Sequence, residues 1–249
     1  MVYNVYMILF SDFDRTFYFR SDEEKTQTNF EAVKKWRAAG HQFCIATGRS
    51  YKSVIKEFPQ IKEICDYYIV DSGSIILSQT GELLSAFYFD PEVVDGIVRF
   101  SENTPNQLIP FYYTPYSESL DYQNNSITKI RLWLKDPNVM KEIAGQIKSS
   151  FPVFAFALEA VSSYDALKEQ RGFIEIIPSN YGKSEAIKYL QKDKNIPSED
   201  IITIGDSLND YEMIRDFNGF VIEGSDLSNT REEINTTSSV ATLIDKLLS

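Results

Sequence analysis

Apolar residues fall along this chain in short blocks that end on polar or acidic groups. YMILFSDFD opens as a buried type of strand that runs straight into two aspartates. Asn29 to Ala39 then carries Phe30, Val33 and Trp36 at helical spacing, and Gly40 suits a helix C-terminus. QFCIATGR is a second apolar strand ending in a Thr-Gly turn, Tyr51 to Phe58 a helix stopped near Pro59, and DYYIVDSG a third strand. Strand and helix alternating through short links predict a parallel sheet with helical crossovers.

Near residue 74 the pattern changes. IILSQTGELLSAFYF predicts a hairpin turning at Thr80-Gly81. Beyond it the chain is rich in Tyr, Phe, Ser and Asn, with one clearly alternating strand, ITKIRLWL, between amphipathic helices near Pro91–Ser101 and Pro137–Ser150. After Phe173 the first pattern resumes: GKSEAIKYLQKDK as a helix, IITIGDS as a strand, NDYEMIRDF as a helix, FVIEG as a strand and a closing helix near Ser238–Leu248. The expected fold is α/β, a Rossmann-like parallel-sheet core of residues 1–83 and 173–249, with an inserted α+β cap over residues 84–172.

Composition narrows the function classes. The chain has 249 residues, 43% of them hydrophobic, so a sizeable core is expected. Its formal net charge is −11. Sequence-independent binding to nucleic acid or to an anionic membrane rests on basic surface, and this balance argues against both. A small anionic substrate stays possible where a local cation offsets the acidic field. The two cysteines, Cys44 and Cys65, lie inside apolar stretches and make neither a disulfide framework nor a metal motif. With no run long enough to span a bilayer and no basic segment before Val5–Phe10, a cytoplasmic location is expected.

Candidate chemistry gathers where the apolar strands end. Asp12 and Asp14 close the first, Thr47 and Gly48 the second, Asp206 with Asn209 and Asp210 the fourth, and Lys183 opens a helix. In open parallel sheets, ligands bind beyond the carboxyl ends of the strands. Two aspartates at the end of a buried strand are costly as mere structure, because desolvated like charges repel. GDSLND also reads as an N-cap cluster for the next helix, and Thr47 as a capping threonine. Gly182-Lys183-Ser184 is not a P-loop, since the required first glycine would fall on Ile177. The single histidine, His41, sits in a helix-to-strand link at the opposite sheet edge and is expected to be surface decoration, as is the acidic run Ser21–Lys25.

Taken together and in this order, DFDRT, the Thr of ATGR, Lys183 and GDSLND resemble the four motifs of the haloacid-dehalogenase-like hydrolase superfamily. The long stretch between the second and third resembles the subclass with a large inserted cap. IEIIPSNYGKSEAIKYL and GDSLNDYEM are most similar to its Cof-type sugar-phosphatase branch. The resemblance implies a phosphatase acting on a small phosphomonoester through an aspartyl-phosphate. In it, Asp12 is the nucleophile and Asp14 the acid/base. Thr47, the Gly48 amide, Lys183 and Asn209 hold or position phosphoryl oxygens. Magnesium is held by Asp12, the Asp14 backbone carbonyl and Asp206, with Asp210 in support.

Electrostatics points the same way, since a phosphate dianion ~4 Å from a carboxylate costs ~4 kcal/mol per charge pair at an effective dielectric near 20. One lysine does not offset several aspartates, and clustered oxygen ligands without His or Cys favour Mg2+. Alternatives on the same core are a phosphosugar mutase and a non-catalytic phospho-switch or binding protein. The partner expected is a small phosphorylated metabolite, with oligomeric state left open.

Three positions depart from the branch pattern: Arg15 where glycine is common, Ser72-Gly73 for Asn-Gly, and Gly224-Ser225-Asp226 for Gly-Asn-Ala. Of the cap aromatics Phe111, Tyr112, Tyr113, Tyr116, Tyr122 and Trp133, most are expected in its core. Lys129, Arg131 and Trp133 share a strand face expected to be solvated or to meet a ligand.

Overall fold

The computed structural model describes residues 6–105, 107–121, 126–159, 164–179, 181–228 and 234–249. The chain runs β1 (Ile8–Ser11), α1 (Glu23–Ala38), β2 (Gln42–Ala46), α2 (Tyr51–Glu57), α3 (Ile61–Ile64), β3 (Tyr67–Val70), β4 (Ile75–Ser78) and β5 (Leu83–Ala86). It continues through α4 (Pro91–Asn103), β6 (Ile109–Tyr113), β7 (Glu118–Ser119), β8 (Lys129–Leu134), α5 (Met140–Ser150), β9 (Val153–Glu159) and β10 (Gly172–Pro178). It closes with α6 (Lys183–Lys194), β11 (Ile201–Gly205), α7 (Tyr211–Asp216), β12 (Asn218–Ile222), β13 (Asn235–Thr237) and α8 (Val240–Leu248).

Two compact units result, one of Met1–Ser85 with Gly182–Ser249 and one of Ala86–Tyr181. The first holds an eight-stranded sheet in the order β13-β12-β11-β1-β2-β3-β4-β5. From β13 to β3 neighbours run parallel, whereas β4 returns antiparallel to β3. β1 lies between β11 and β2, so every one of its residues is buried. That position explains its unbroken apolar run, since a strand covered on both faces has no polar alternation to show.

The sheet packs against α1, α2, α3 and α8 through Phe13, Phe17, Trp36, Phe43 and Tyr68. α1 begins earlier than the apolar spacing indicated. Asp22 caps it, its Oδ1 accepting from the Lys25 amide at 2.9 Å, and Glu23 and Glu24 occupy the first turn. The run Ser21–Lys25 is thus a helix start with acidic groups at the positive end of the helix dipole. His41 is likewise more than decoration: its Nδ1 accepts from the Met7 amide at 3.2 Å and its ring lies 4.1 Å from that of Trp36.

The second unit is an antiparallel sheet in the order β7-β6-β8-β10-β9. α4 and α5 cover one face through Val94, Ile97, Ile143 and Ile147 against Ile130, Leu132, Ile174 and Ile176. The sequence pattern places residues 173–181 in the first unit, whereas they belong to the second. In the structure Gly172–Pro178 lies between β8 and β9 of this second sheet. Its seven residues are all buried, so it shows the continuous apolar pattern of a parallel core strand.

The face carrying Lys129, Arg131 and Trp133 is not solvated. Phe111, Tyr113, Leu167 and Phe173 pack there with Trp133, and Lys129 is fully buried. Arg131 donates to Glu175 Oε2 from Nε (2.9 Å) and Nη2 (2.8 Å), and from Nη1 to the Tyr113 hydroxyl (3.0 Å). Phe111, Tyr112 and Tyr113 are buried as expected; Tyr116 is exposed, and Tyr122 lies outside the described residues. At the limits of this unit the rings of Phe87 and Tyr181 stack with centroids 4.3 Å apart.

One buried amide ties the first unit together. Asn29 on α1 donates to the carbonyls of Phe17 (2.9 Å) and Thr16 (3.3 Å), while its Oδ1 accepts from the Ala241 amide at the start of α8 (3.0 Å). Replacing Asn29 by Ala leaves these buried groups unmatched, and an unmatched buried group costs ~1–3 kcal/mol. Urea unfolding of Asn29→Ala is expected to show a loss of about 2–4 kcal/mol with an unchanged m-value. A loss under about 0.5 kcal/mol would contradict this account.

Candidate active site

β1, β2 and β11 end at the same edge of the sheet because they are parallel neighbours. The residues following them are therefore brought side by side. Asp12 follows β1, and its amide donates to the Ile204 carbonyl at 2.9 Å, which holds the aspartate against β11. Asp206 follows β11. Gly205, the last residue of that strand, leaves room for Asp210 to fold back: a Cβ there would lie 2.5 Å from the Asp210 side chain.

Lys183 is the first residue of α6 and is buried with only 3% of its surface exposed. Its Nζ donates to Asp12 Oδ1 and to Asp210 Oδ1, both at 2.6 Å. Asp210 Oδ2 accepts from the Asp206 and Ser207 amides (3.2 and 3.1 Å) and from Ser207 Oγ (3.2 Å). Both Asp210 oxygens are thus committed to the protein. Asp206 Oδ1 accepts from Thr16 Oγ1 at 3.2 Å, and Arg15 Nη2 approaches Oδ2 at 3.2 Å from a largely exposed position.

A third strand end braces the lysine. Asp71, Ser72 and Gly73 follow β3 with φ of 50°, 61° and 105°, a left-handed run that only its surroundings can sustain. The Asp71 amide donates to the Arg49 carbonyl and the Ser72 amide to the Thr47 carbonyl, both at 2.9 Å. A Cβ on Gly73 would sit 2.4 Å from the Gly182 carbonyl carbon. The turn that launches Lys183 is therefore seated directly on this loop.

Thr47 is buried just past β2, and its Oγ1 accepts from the Arg49 amide at 3.1 Å. Gly48 lies in the same turn, half-buried. Asn209, also half-buried, accepts from Ser207 Oγ on its side-chain oxygen. Asp14 stands apart from the other aspartates. β1 stops at Ser11, Phe13 turns into the core, and both Asp14 oxygens are taken by Arg49, from Nε at 2.6 Å and from Nη2 at 2.7 Å. Sequence reasoning did not single out Arg49. Its signal is the spacing Arg49, Ser53, Glu57, an arginine just before α2 followed by two polar side chains a turn apart on that helix.

Charge in the cluster is unbalanced. Oxygens of Asp12, Asp206 and Asp210 lie within 4.8 Å of one another, all three residues buried. Burial first, then Asp210 and Asp206, push the Asp12 carboxyl well above the usual carboxylate range against the pull of Lys183. Burial and the nearby Asp210 push Asp206 up to about 6, opposed by Arg15, Lys183 and Thr16. Burial alone would lower the Lys183 ammonium, but Asp12 and Asp210 overcome it and hold the group above its ordinary range. An all-oxygen, acidic, cation-poor cluster of this kind fits a hard divalent cation such as Mg2+. Asp12 and Asp206 have oxygens to offer it, and Asp210 fixes the lysine and the loop around it.

A parallel sheet whose strand ends gather a buried lysine and three carboxylates defines an α/β enzyme site. Comparison with known proteins identifies the family. The model of the haloacid dehalogenase-like hydrolases matches residues 9–114 and 101–223, and the chain belongs to that family. A protein of Mycoplasma capricolum is 26% identical over 234 residues, covering 84% of this chain and 87% of its own. The 5-amino-6-(5-phospho-D-ribitylamino)uracil phosphatase of Bacillus subtilis is 22% identical, covering 88% and 87%. Among solved structures, the subclass IIB sugar phosphatase BT4131 superposes with a TM-score of 0.75 at 16% identity, covering 97% and 98%. Among the described residues, no helix is long and apolar enough to cross a membrane.

The raised Asp206 carboxyl has a consequence for stability. Its folded value of about 6 exceeds the ordinary 3.8, so the folded state binds more protons in that interval. Stability is lost as pH rises from about 4 through 6, by on the order of 1–2 kcal/mol after discounting for solvent screening. In chelator-treated protein, Asp206→Asn is expected to raise the melting temperature at pH 7.5, with a smaller gain at pH 5. A variant no more stable than wild type at pH 7.5 would rule out this strain.

Proposed function

We propose that the protein is a magnesium-dependent phosphatase that hydrolyses a small phosphomonoester, such as a sugar phosphate, through an aspartyl-phosphate on Asp12. The observation carrying this reading is the Asp12 carboxylate itself. It is buried at a strand end, bonded through Oδ1 to Lys183 at 2.6 Å, with Oδ2 left for reaction. A buried ion-pair cluster serving only packing could be replaced as a whole by apolar side chains of similar volume at little or no cost.

Each residue then has a task its position allows. Asp12 Oδ2 attacks phosphorus as the bond to the leaving oxygen breaks, giving an acyl phosphate. Asp14 supplies the proton that the leaving oxygen takes, and afterwards accepts one from the water that attacks the acyl phosphate, releasing phosphate and restoring Asp12. Lys183 favours the charged form of Asp12 against burial and the neighbouring carboxylates, and faces the incoming anion. Thr47 and the Gly48 amide, at the neighbouring strand end, hold phosphoryl oxygens, and Asn209 helps position them. Mg2+ at Asp12, the Asp14 carbonyl and Asp206 would neutralise charge that builds on the phosphoryl group, with Asp210 supporting the site. The antiparallel unit of Ala86–Tyr181 is the source of substrate selectivity in this reading.

Turnover of p-nitrophenyl phosphate with Mg2+ and with chelator tests the proposal. Wild type is expected to be active only with the metal, and Asp12→Asn to lose activity by ~10³-fold or more. Full activity in Asp12→Asn would remove the covalent route, and activity indifferent to chelator would remove the metal.

A further inference from the structure

We infer that Arg49 is a positioning residue for the acid/base step, holding Asp14 through a guanidinium clamp that is itself braced by Glu57. This rests on the phosphatase reading given above and assigns a task to a residue that the family motifs leave without one.

The clamp is specific in its geometry. Arg49 Nε donates to Asp14 Oδ2 at 2.6 Å and Nη2 to Oδ1 at 2.7 Å, the parallel two-point contact that fixes a carboxylate's plane as well as its place. A lysine in the same position would fix only a distance. Asp14 needs such a partner because its own backbone does not immobilise its side chain. It sits in the turn Phe13–Tyr18, where the Phe17 and Tyr18 amides donate to the Phe13 carbonyl and the Arg15 amide to the Tyr18 carbonyl. The side chain is half-exposed.

Arg49 is in turn held from several sides. Its Nη1 donates to Ser53 Oγ at 3.1 Å and lies 3.4 Å from Glu57 Oε1, both on α2. Its guanidinium carbon lies 5.6 Å from the centre of the Phe13 ring. Glu57 also accepts from Arg20 Nη2 at 2.6 Å and from the Tyr18 hydroxyl at 3.4 Å. The turn bearing Asp14 and the helix bearing Glu57 are thereby tied at both ends of one arginine. Most surface ion pairs contribute little, but a two-point contact inside a network of fixed groups is the exception.

The clamp constrains the chemistry. With both oxygens of Asp14 engaged by one guanidinium, the carboxylate is held in one plane and one place beside the candidate nucleophile's turn. Glu57, 3.4 Å from the same guanidinium, braces it from the α2 side. Donating the proton to the leaving group and recovering it from water then use one carboxylate returning to one place. An effect transmitted through Asp14 must grow as the leaving group needs more help. Loss of Arg49 should therefore matter little for p-nitrophenyl phosphate, whose leaving oxygen departs without a proton, and much more for phenyl phosphate.

The experiment compares kcat and kcat/KM on these two substrates for wild type, Arg49→Ala, Arg49→Lys, Asp14→Asn and the Arg49→Ala/Asp14→Asn double variant. In kcat/KM, which reports the leaving-group step, Arg49→Ala is expected to lose ~10²-fold on phenyl phosphate and less than about 5-fold on p-nitrophenyl phosphate. Arg49→Lys should show the same split, and it carries the comparison if the alanine variant does not fold. The double variant should be no slower than Asp14→Asn alone. Equal losses in kcat/KM on both substrates, or a further loss in the double variant, would overturn the positioning role while leaving the phosphatase reading intact. Wild type inert toward both substrates with Mg2+ present would overturn the phosphatase reading and this inference with it.

Discussion

Lys183 brings an ammonium into a site with almost no contact with water and leaves it between Asp12 and Asp210, 2.6 Å from each. Three distant parts of the chain meet at that nitrogen. Removing any one of them leaves a buried charge without its counterpart, a loss of ~3–5 kcal/mol in comparable sites. The rest of the edge is arranged around this contact. Gly205 is bare so that Asp210 can fold back, and the left-handed run at Asp71–Gly73 lies against the turn that launches the lysine. Even so, three carboxylates outnumber the single buried cation. The site is therefore built to be finished by something positive.

That imbalance separates what holds the fold from what gathers at the candidate site. The sheet core of Trp36, Phe43 and Tyr68 contains none of the acidic groups. The acidic groups, by contrast, sit where raised carboxyl values show the protein working against itself. Strain of this kind is the usual mark of a functional site. Asp14 and Arg49 show a different solution a short distance away, a carboxylate matched oxygen by nitrogen at the surface.

Much of this was legible in the chain. Runs such as YMILFSDFD and IITIGDS announce buried parallel strands, and each ends on residues of the candidate site. The hairpin at Gly81 and the helices at Pro91 and Lys183 also fall where the pattern places them. What escaped did so for physical reasons. β10 reads as a core strand because a strand buried on both faces looks the same in either kind of sheet. Lys129 and Arg131 read as solvated because alternation reports a face, not what covers it, and the covering rings come from residues far along the chain. The clamp on Asp14 joins positions 35 residues apart, a pairing that only the fold creates.

The stacked rings of Phe87 and Tyr181 bear on how such a chain came to carry a second unit at all. They hold the entry and exit of that unit within ring-contact distance. A segment whose ends already meet adds little loop-closure entropy to the sheet it interrupts, and that penalty grows only with the logarithm of its length. The insertion is therefore almost invisible to the folding of its host. Exchanging the segment between these rings would leave the loop closure of the host sheet nearly unchanged, which makes the ring pair a natural splice point for grafting.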